Sequence, residues 1–285
     1  MQGLAQFVMR GRSQALIVAC VSAGTVLFFW VGAAALALVT LRKGWVEGLI
    51  LLLWALLPAG LALYLAREFA PLAAFLGSYA TALVLRATVS WPATLVVAAL
   101  CGAATGLVML GFAGAYVGEI KAMVDQFIQQ YQSTLAEQGQ TLQLSAPSAG
   151  FIVGILALVE GLTVTLCVIL GRYWQAALYN PGGFGAEFRQ LRLPPALALA
   201  LLAVAAGCLL AGGAALPWGY LATLPCLFAG IGLVHGMAGL RQLRRGWLVL
   251  FYMLLALINP MKELVILAAA ADSWFDFRRR AAGGA

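Results

Sequence analysis

The sequence predicts an all-α fold, a polytopic bundle of transmembrane helices that forms a single integral membrane domain over residues 1–285. Apolar residues make up 64% of the chain and charged residues only 9%, whereas about 25% of the residues in a soluble domain are charged. The apolar residues also lie in long runs without charge, and about 20 such residues in a helix cross the hydrocarbon core of a bilayer. These runs do not alternate between apolar and polar residues, which argues against a transmembrane β-barrel.

Each charge-free run predicts a membrane segment. We expect about six full spans, a short helical hairpin at the N-terminus and a broken segment at the C-terminus, or roughly seven to nine membrane segments in total. Turn formers at Gly212-Gly213 and Pro217, next to the interfacial Trp218, separate two of the spans. The segments cover residues 13–41, 45–66, 69–86, 91–118, 149–171, 194–214, 217–240 and 247–271.

Basic residues at the ends of these segments predict the orientation, because Lys and Arg next to a span favour the cytoplasmic side. When the spans alternate in direction, the basic clusters fall on one side and the acidic stretch 119–137 falls on the other. We therefore expect a multi-pass protein of the bacterial inner membrane with a cytoplasmic N-terminus. The net charge of +7 then reflects topology, and no nucleic-acid partner is expected. The clusters are Arg42-Lys43, Arg86, residues 172–192 and residues 241–245.

Residues 13–41 fit this alternation as a hairpin. One straight span would place Arg12 and Arg42 on opposite sides of the membrane, whereas two short legs that turn near residues 29–32 keep both on one side. A single long, tilted helix is the alternative.

The last segment is interrupted at Asn259-Pro260, because proline removes a backbone donor and kinks or breaks a helix. If Arg278, Arg279 and Arg280 are cytoplasmic, the segment re-enters the membrane from the side on which it began. If they are not, the segment spans the membrane with a kink. The sequence leaves both arrangements open.

The insert at residues 119–148 does not span the membrane. Its first half predicts an amphipathic helix on the periplasmic membrane surface, because apolar side chains recur there at helical spacing. Such a helix is either a lid over an outward-facing cavity or a cover for the ends of neighbouring spans. The apolar stripe consists of Ile120, Met123, Phe127, Tyr131 and Leu135.

Polar groups inside the apolar runs are the candidates for function, because an ionisable side chain at membrane depth is costly. Glu160 lies in the middle of its run, with Thr163 one turn away. A carboxylate at this depth can bind a cation, carry a proton or accept hydrogen bonds from a substrate. The structural alternative is a protonated glutamate that bonds to a neighbouring helix. Further candidates for a substrate or ion site are His235, Asn259, Lys262 and Glu263.

These further candidates lie at two places in the chain. His235 is near the predicted cytoplasmic end of its span, among glycines that favour tight helix packing. Lys262 and Glu263 follow the Asn259-Pro260 break inside the last apolar segment, where either of them can pair with Glu160 or with the other.

No metal, cofactor or catalytic activity is expected. One histidine and five scattered cysteines offer no metal-ligand spacing, and the carboxylate or histidine clusters of a membrane enzyme are missing. A glycine-rich loop lacks the Gly-Lys-Ser/Thr ending of a phosphate loop, so we interpret it as a docking loop for a partner or as a plain connection. The loop contains Asn180, Pro181, Gly182, Gly183 and Phe184.

The chain resembles the YybS-like family of bacterial polytopic membrane proteins in three stretches. These are residues 39–44, residues 180–185 and the ending, from Asn259-Pro260 to residues 272–278. The resemblance covers essentially the whole chain. That family is itself similar to the S-components of energy-coupling-factor vitamin transporters, which bind a small molecule at the outward side and couple through a first helix with small residues every four positions. The resemblance therefore implies a separate energising ATPase as partner. Ala15, Ala19 and Ala23 have the same spacing here, and small side chains let another helix approach closely.

Two functions follow from these observations. The first is a membrane transport or small-solute capture subunit with a mid-membrane polar site and an unidentified small-molecule ligand. The alternative is a non-catalytic scaffold or assembly factor that docks other membrane proteins through the alanine face, the glycine loop and the basic tail. The expected partners are the lipid bilayer and either a membrane-protein partner or a separate energising subunit.

Overall fold

A computed structural model describes residues 2–25, 27–138, 140 and 144–283. These residues form fourteen α-helices and one turn of 3₁₀ helix at Gly213–Ala215, and they contain no β-strand. The predicted all-α fold is therefore confirmed. The helices are α1 Gln2–Arg10, α2 Arg12–Ala23, α3 Phe29–Lys43, α4 Trp45–Ala66, α5 Ala70–Thr88, α6 Trp91–Phe112, α7 Gly114–Glu137, α8 Ala149–Tyr179, α9 Gly183–Gln190, α10 Pro195–Ala211, α11 Leu216–Leu240, α12 Arg245–Leu257, α13 Asn259–Phe275 and α14 Phe277–Gly283.

Five of the described helices, α4, α5, α6, α8 and α11, are long and apolar enough to cross a membrane. Two further pairs meet the same requirement only together, and both are bent: α9 and α10 by 70°, and α12 and α13 by 115°. The chain is therefore a multi-pass helical membrane protein with five to seven candidate spans within the described residues. The break predicted at Gly212-Gly213 separates α10 from α11, and both glycines have the positive φ that favours glycine.

The central helix of the bundle is α8, which packs against α3, α5, α6 and α11. It approaches two of them backbone to backbone. A Cβ atom at Gly102 of α6 would lie 2.4 Å from the carbonyl oxygen of Ala157, and one at Gly171 would lie 2.9 Å from that of Ala34 in α3. Only glycine fits at these two contacts, because each missing side chain would meet backbone atoms of the neighbouring helix that cannot move aside.

Charged groups distinguish the two ends of the bundle. We call the end formed by the C-termini of α3, α5, α8 and α11 the basic end. Here Arg86 Nη1 donates a 2.6 Å hydrogen bond to the carbonyl oxygen of Leu41. At the opposite end, Arg67 forms an ion pair with Glu119. The separation of the basic clusters from residues 119–137 agrees with the alternation that the sequence predicts.

The N-terminal segment forms a hairpin of α2 and α3. Arg12 Nη2 lies 2.5 Å from Glu47 Oε1, so α2 begins at the end of the bundle where α3 ends. The turn follows Gly24 and precedes Phe29, so the predicted turn at residues 29–32 is wrong. Gly32 is needed instead where the two legs cross, since a Cβ atom there would lie 1.8 Å from Ser22 Oγ.

The C-terminal segment returns to the end of the bundle at which it starts. Trp247, near the start of α12, shares a groove with Met237 of α11 and with Arg241, the residue that follows α11. Beyond the end of α13, Arg278 packs against Gly236, where a Cβ atom would lie 3.0 Å from Arg278 Cδ. Both contacts involve the last two turns of α11. The geometry of α12 and α13 is therefore re-entrant, and the kinked span is not formed.

The insert forms α7, which begins at Gly114, so the span before it ends at Phe112 and not at residue 118. Three residues of the predicted apolar stripe, Met123, Phe127 and Tyr131, are exposed. Most of the stripe is therefore not packed against neighbouring spans, and both interpretations of this helix, as a lid or as a cover for the ends of spans, stay predictions. An exposed apolar stripe is typical of a helix that lies in the membrane interface.

The close contact between α6 and α8 predicts a large difference between two glycine substitutions in α6. We expect Gly102→Ala to lower the free energy of unfolding by about 1–3 kcal/mol, because the added methyl group overpacks against backbone. Gly111→Ala is the matched control, since nothing lies within 4 Å of its missing Cβ atom. Thermal unfolding in detergent measures both. Equal stability of the two variants would contradict the contact.

The re-entrant geometry predicts where new cysteines react with a membrane-impermeant thiol reagent. In a chain whose five native cysteines are replaced by alanine, Arg244→Cys and Arg279→Cys should be labelled from the same side of sealed vesicles. Glu137→Cys, at the exposed end of α7, is the control and should be labelled from the other side. Labelling of positions 244 and 279 from opposite sides would show that α12 and α13 cross the membrane.

Candidate functional site

Glu160 lies near the middle of α8 and is buried, with 6% of its surface exposed. Its Oε1 atom has no hydrogen-bond partner within the described part of the chain. A buried carboxyl group is expensive unless a donor or a cation satisfies it. Glu160 is therefore a polar group at membrane depth whose bonding capacity its own helix bundle leaves unused.

The surroundings of Glu160 are formed where α5, α6 and α8 meet. At Gly77 of α5, a Cβ atom would lie 2.6 Å from Val164 Cγ2 and 3.4 Å from Cys101 Cβ, so the three helices are in direct contact. The Cys101 thiol lies near both Thr81 and Glu160. We call Ser78, Thr81, Cys101 and Glu160 the Glu160 junction.

The hydroxyl oxygens of Ser78 and Thr81 are buried and make no well-aligned hydrogen bond among the described residues, and each lies beside a thiol, Thr81 beside Cys101 and Ser78 beside Cys167. The Cys167 thiol is itself near Glu160. One carboxyl and two hydroxyl groups are hard oxygen donors, which suit a proton or a hard cation better than a transition metal. No group of three His, Cys, Asp or Glu side chains that could hold a metal occurs in the described ranges.

A second candidate site is a groove of about 780 Å³ between α8, α9, α11 and α12, here called the α8–α12 groove. Aromatic rings line it in sequence: the ring centroids of Phe184 and Phe188 are 5.6 Å apart, and those of Phe188 and His235 are 5.8 Å apart. His235 Nε2 lies 2.8 Å from the hydroxyl oxygen of Tyr252. The α8 wall of the groove consists of Leu162, Leu166, Ile169, Tyr173, Ala176 and Ala177.

The charged residue of this groove is Arg189, and no acidic residue lines it. Arg189 has no acidic partner within the described ranges. Nearby arginines differ in this respect, since Arg172 pairs with Glu187 and Arg192 pairs with Asp276. The groove therefore combines apolar walls with one uncompensated positive charge.

The histidine and the glycine loop, which the sequence presents as two separate candidate sites, lie together in the α8–α12 groove. His235 lines it together with Pro181, Gly182 and Phe184 of the glycine loop. Asn180 instead shapes the turn, because its side chain fills the space next to Gly183. These residues belong to one surface, although no sequence pattern connects position 235 with positions 181–184.

The other candidates do not join Glu160. The Thr163 hydroxyl donates to the carbonyl oxygen of Val159, and this side chain lines a different groove, beside Trp30. Asn259, Lys262 and Glu263 are exposed. No pairing of Lys262 or Glu263 with Glu160 occurs among the described residues, because the first turn of α13 packs beside Ile231 and Val234 of α11, whereas Glu160 lies next to Gly161, which contacts Leu221 and Leu224 of the same helix.

The alanine face of α2 is not available to a partner helix. Ala15 is 2% exposed, and Ala19 and Ala23 are fully buried. They belong to a hydrophobic cluster to which α3 and α4 also contribute. The four-residue spacing does mediate close helix packing, but the helices that approach are those of the same chain, because the hairpin folds α3 back onto this face.

The sequence did not predict an ionic network at the basic end, in which the Arg278–Asp272 pair is buried and the Arg192–Asp276 pair is partly exposed. Arg192 Nη1 donates to Asp276 Oδ2 at 2.8 Å, and Arg278 Nη2 donates to Asp272 Oδ2 at 2.5 Å. Arg278 also donates to the carbonyl oxygen of Arg189. From the sequence alone, these arginines are predicted to be topological anchors and a basic tail. Asp272 and Asp276 are four positions apart, and Asp276 is two positions before Arg278. This close spacing of opposite charges was the signal in the sequence that could have revealed the network.

This arrangement defines a class of protein: a multi-pass helical membrane protein with a buried, unsatisfied carboxyl group at the centre of its bundle. Searches of protein-family models, of curated proteins and of solved structures each found no match to the chain. The resemblance to the YybS-like family therefore stays a prediction.

The burial of the alanine face predicts the effect of enlarging it. We expect Ala19→Leu to lower the free energy of unfolding by about 1–3 kcal/mol, because the added atoms overpack a filled interior. Val21→Leu, on the exposed face of the same helix, should leave stability unchanged. Thermal unfolding measures both variants. If Ala19→Leu were as stable as the parent chain but lost a co-purifying membrane protein, the face would be a partner surface after all.

Proposed function

We propose that this protein is a membrane transport or small-solute capture subunit, and that the Glu160 junction binds the transported ion or a cationic group of the solute. The observation that carries the proposal is the buried Glu160 carboxyl group, which has no hydrogen-bond partner on Oε1 among the described residues.

The energetics of an isolated carboxylate support a binding role. Transfer of an unpaired charge into a low-dielectric interior costs several kcal/mol or more, so the group is stable there only with a proton or with a bound cation. These two states can replace each other when a ligand arrives or leaves. Ser78 and Thr81 add hydroxyl oxygens that can complete the coordination of a cation.

A purely structural role would require a different environment. A glutamate that ties two membrane helices together forms a hydrogen bond to the second helix. No such bond to Glu160 is present among the described residues. The junction therefore has the features of a site whose ligand supplies the missing interaction.

The scaffold alternative has less support. Of its three proposed docking elements, the alanine face is buried inside the chain. Phe184 of the glycine loop packs against Phe188, and Arg278 of the basic tail pairs with Asp272. A transporter of the inner membrane with a cytoplasmic N-terminus and a separate energising subunit remains the proposal, but Ala15, Ala19 and Ala23 are not its coupling surface.

Reaction with a hydrophobic carbodiimide tests the ligand-binding role of Glu160. Such reagents modify protonated carboxyl groups in apolar surroundings. We expect a covalent adduct on Glu160 in native membranes, no adduct in Glu160→Gln, and at least tenfold slower labelling when saturating Na⁺, K⁺ or a cationic solute occupies the junction. Mass spectrometry of the peptide that contains residue 160 gives the rate. Glu263→Gln is the matched control, because Glu263 is exposed, and it should leave labelling of Glu160 unchanged.

A stability measurement separates this role from a structural one. Because Glu160 Oε1 accepts no hydrogen bond from the described residues, Glu160→Leu should leave the unfolding temperature unchanged or raise it. A marked fall in that temperature, or labelling that no cation or solute slows, would contradict the proposal.

A further inference from the structure

We propose that the α8–α12 groove binds one anionic membrane lipid, with the headgroup phosphate at Arg189 and an acyl chain along α8 towards Leu162. This inference is independent of the role of Glu160, since the junction and the groove share no residue. It rests on the dimensions of the groove, on its charge and on the chemistry of its walls.

The length of the groove matches one leaflet of a bilayer. Leu162 and Tyr173, both on its α8 wall, are separated by about 16 Å at the helical rise per residue. Half of the hydrocarbon core is about 15 Å thick. The wall continues to Ala177 and Pro181, which lie at the basic end. An acyl chain that follows this wall therefore reaches the middle of the membrane while its headgroup stays at the basic end.

The charge of the groove selects an anionic headgroup. Arg189 is the residue with a permanent charge in the lining, and it has no acidic partner within the described ranges. An arginine side chain binds phosphate oxygens through two parallel hydrogen bonds. The first turn of α9 borders the same end of the groove at Gly182 and Gly185, and the N-terminus of a helix adds partial positive charge.

An anionic lipid accounts for the groove better than a transmembrane helix of a partner, because the apolar wall along α8 ends beside an arginine that has no acidic partner among the described residues. Free phosphate is too small, because it would leave the apolar walls of Leu166, Tyr173 and Phe188 uncovered. One extended acyl chain with an anionic headgroup fits both parts of the groove.

Native mass spectrometry of the full-length protein, titrated in detergent with phosphatidylglycerol, tests this assignment. We expect one lipid to bind per chain. Arg189→Gln should weaken binding about tenfold or more, because it removes hydrogen bonds between charged groups. Arg244→Gln is the matched control, since this exposed arginine belongs to the same end of the bundle but does not line the groove. Leu166→Trp fills the groove and should weaken binding to a similar extent.

Unchanged unfolding temperatures of these variants would show that they are folded, and phosphatidylcholine should bind at least tenfold more weakly than phosphatidylglycerol. The assignment is overturned if Arg189→Gln and Arg244→Gln weaken binding equally, or if phosphatidylcholine binds as tightly as phosphatidylglycerol. Displacement of the lipid by millimolar inorganic phosphate alone would also overturn it, as would crosslinking of a protein helix, rather than a lipid, to a photoreactive residue at position 173.

Discussion

Between α6 and α3, the central helix α8 approaches both neighbours so closely that backbone meets backbone at Gly102 and Gly171. Lipid tails are as apolar as the side chains they touch, so the hydrophobic effect does not press membrane helices together, and close packing at small residues has to do so. These contacts fix the rotation of α8 about its axis. The positions of Glu160 and of the α8–α12 groove wall both depend on that rotation.

The two hairpins that flank the bundle are subject to a second constraint, although Leu257 and Ile258 at the bend between α12 and α13 are exposed. Backbone that leaves a helix at membrane depth must be covered by protein or lie in a wet cavity. Near the turn between α2 and α3, Gly24 lies against Pro58, and Cys167 Sγ lies 3.4 Å from the carbonyl oxygen of Trp30. In the hairpin of α12 and α13, the ion pair between Asp272 and Arg278 holds the end of α13 at the basic end. Both hairpins thus begin and end at the basic end and pack on helices that cross the bundle.

Much of the fold could be predicted from the sequence because the length of an apolar run is a local property. The contacts that decide which side of a helix faces which neighbour are not a local property of the sequence. The sequence predicts a turn at residues 29–32, although Gly32 lies where α2 and α3 cross. It also predicts a partner helix on the alanine face of α2, although α3 and α4 cover that face. The depth of Glu160 alone is enough to predict it as a candidate, whereas the groove could not be predicted, because residues from α1, α8, α9, α11 and α12 together build its walls.

The Glu160 junction and the groove lie on different faces of one helix. At about 100° per residue, the groove residues Leu162 and Tyr173 point roughly 200–220° away from Glu160 around the axis of α8. A ligand at one site therefore does not obstruct the other, yet both are attached to the same rigid element. A rotation of α8 that exposes Glu160 must also displace the groove wall. Because glycine contacts hold α8 on both sides, such a movement has to carry α3 and α6 with it, and a lipid bound in the groove would oppose it by the difference between its binding free energies for the two positions of α8.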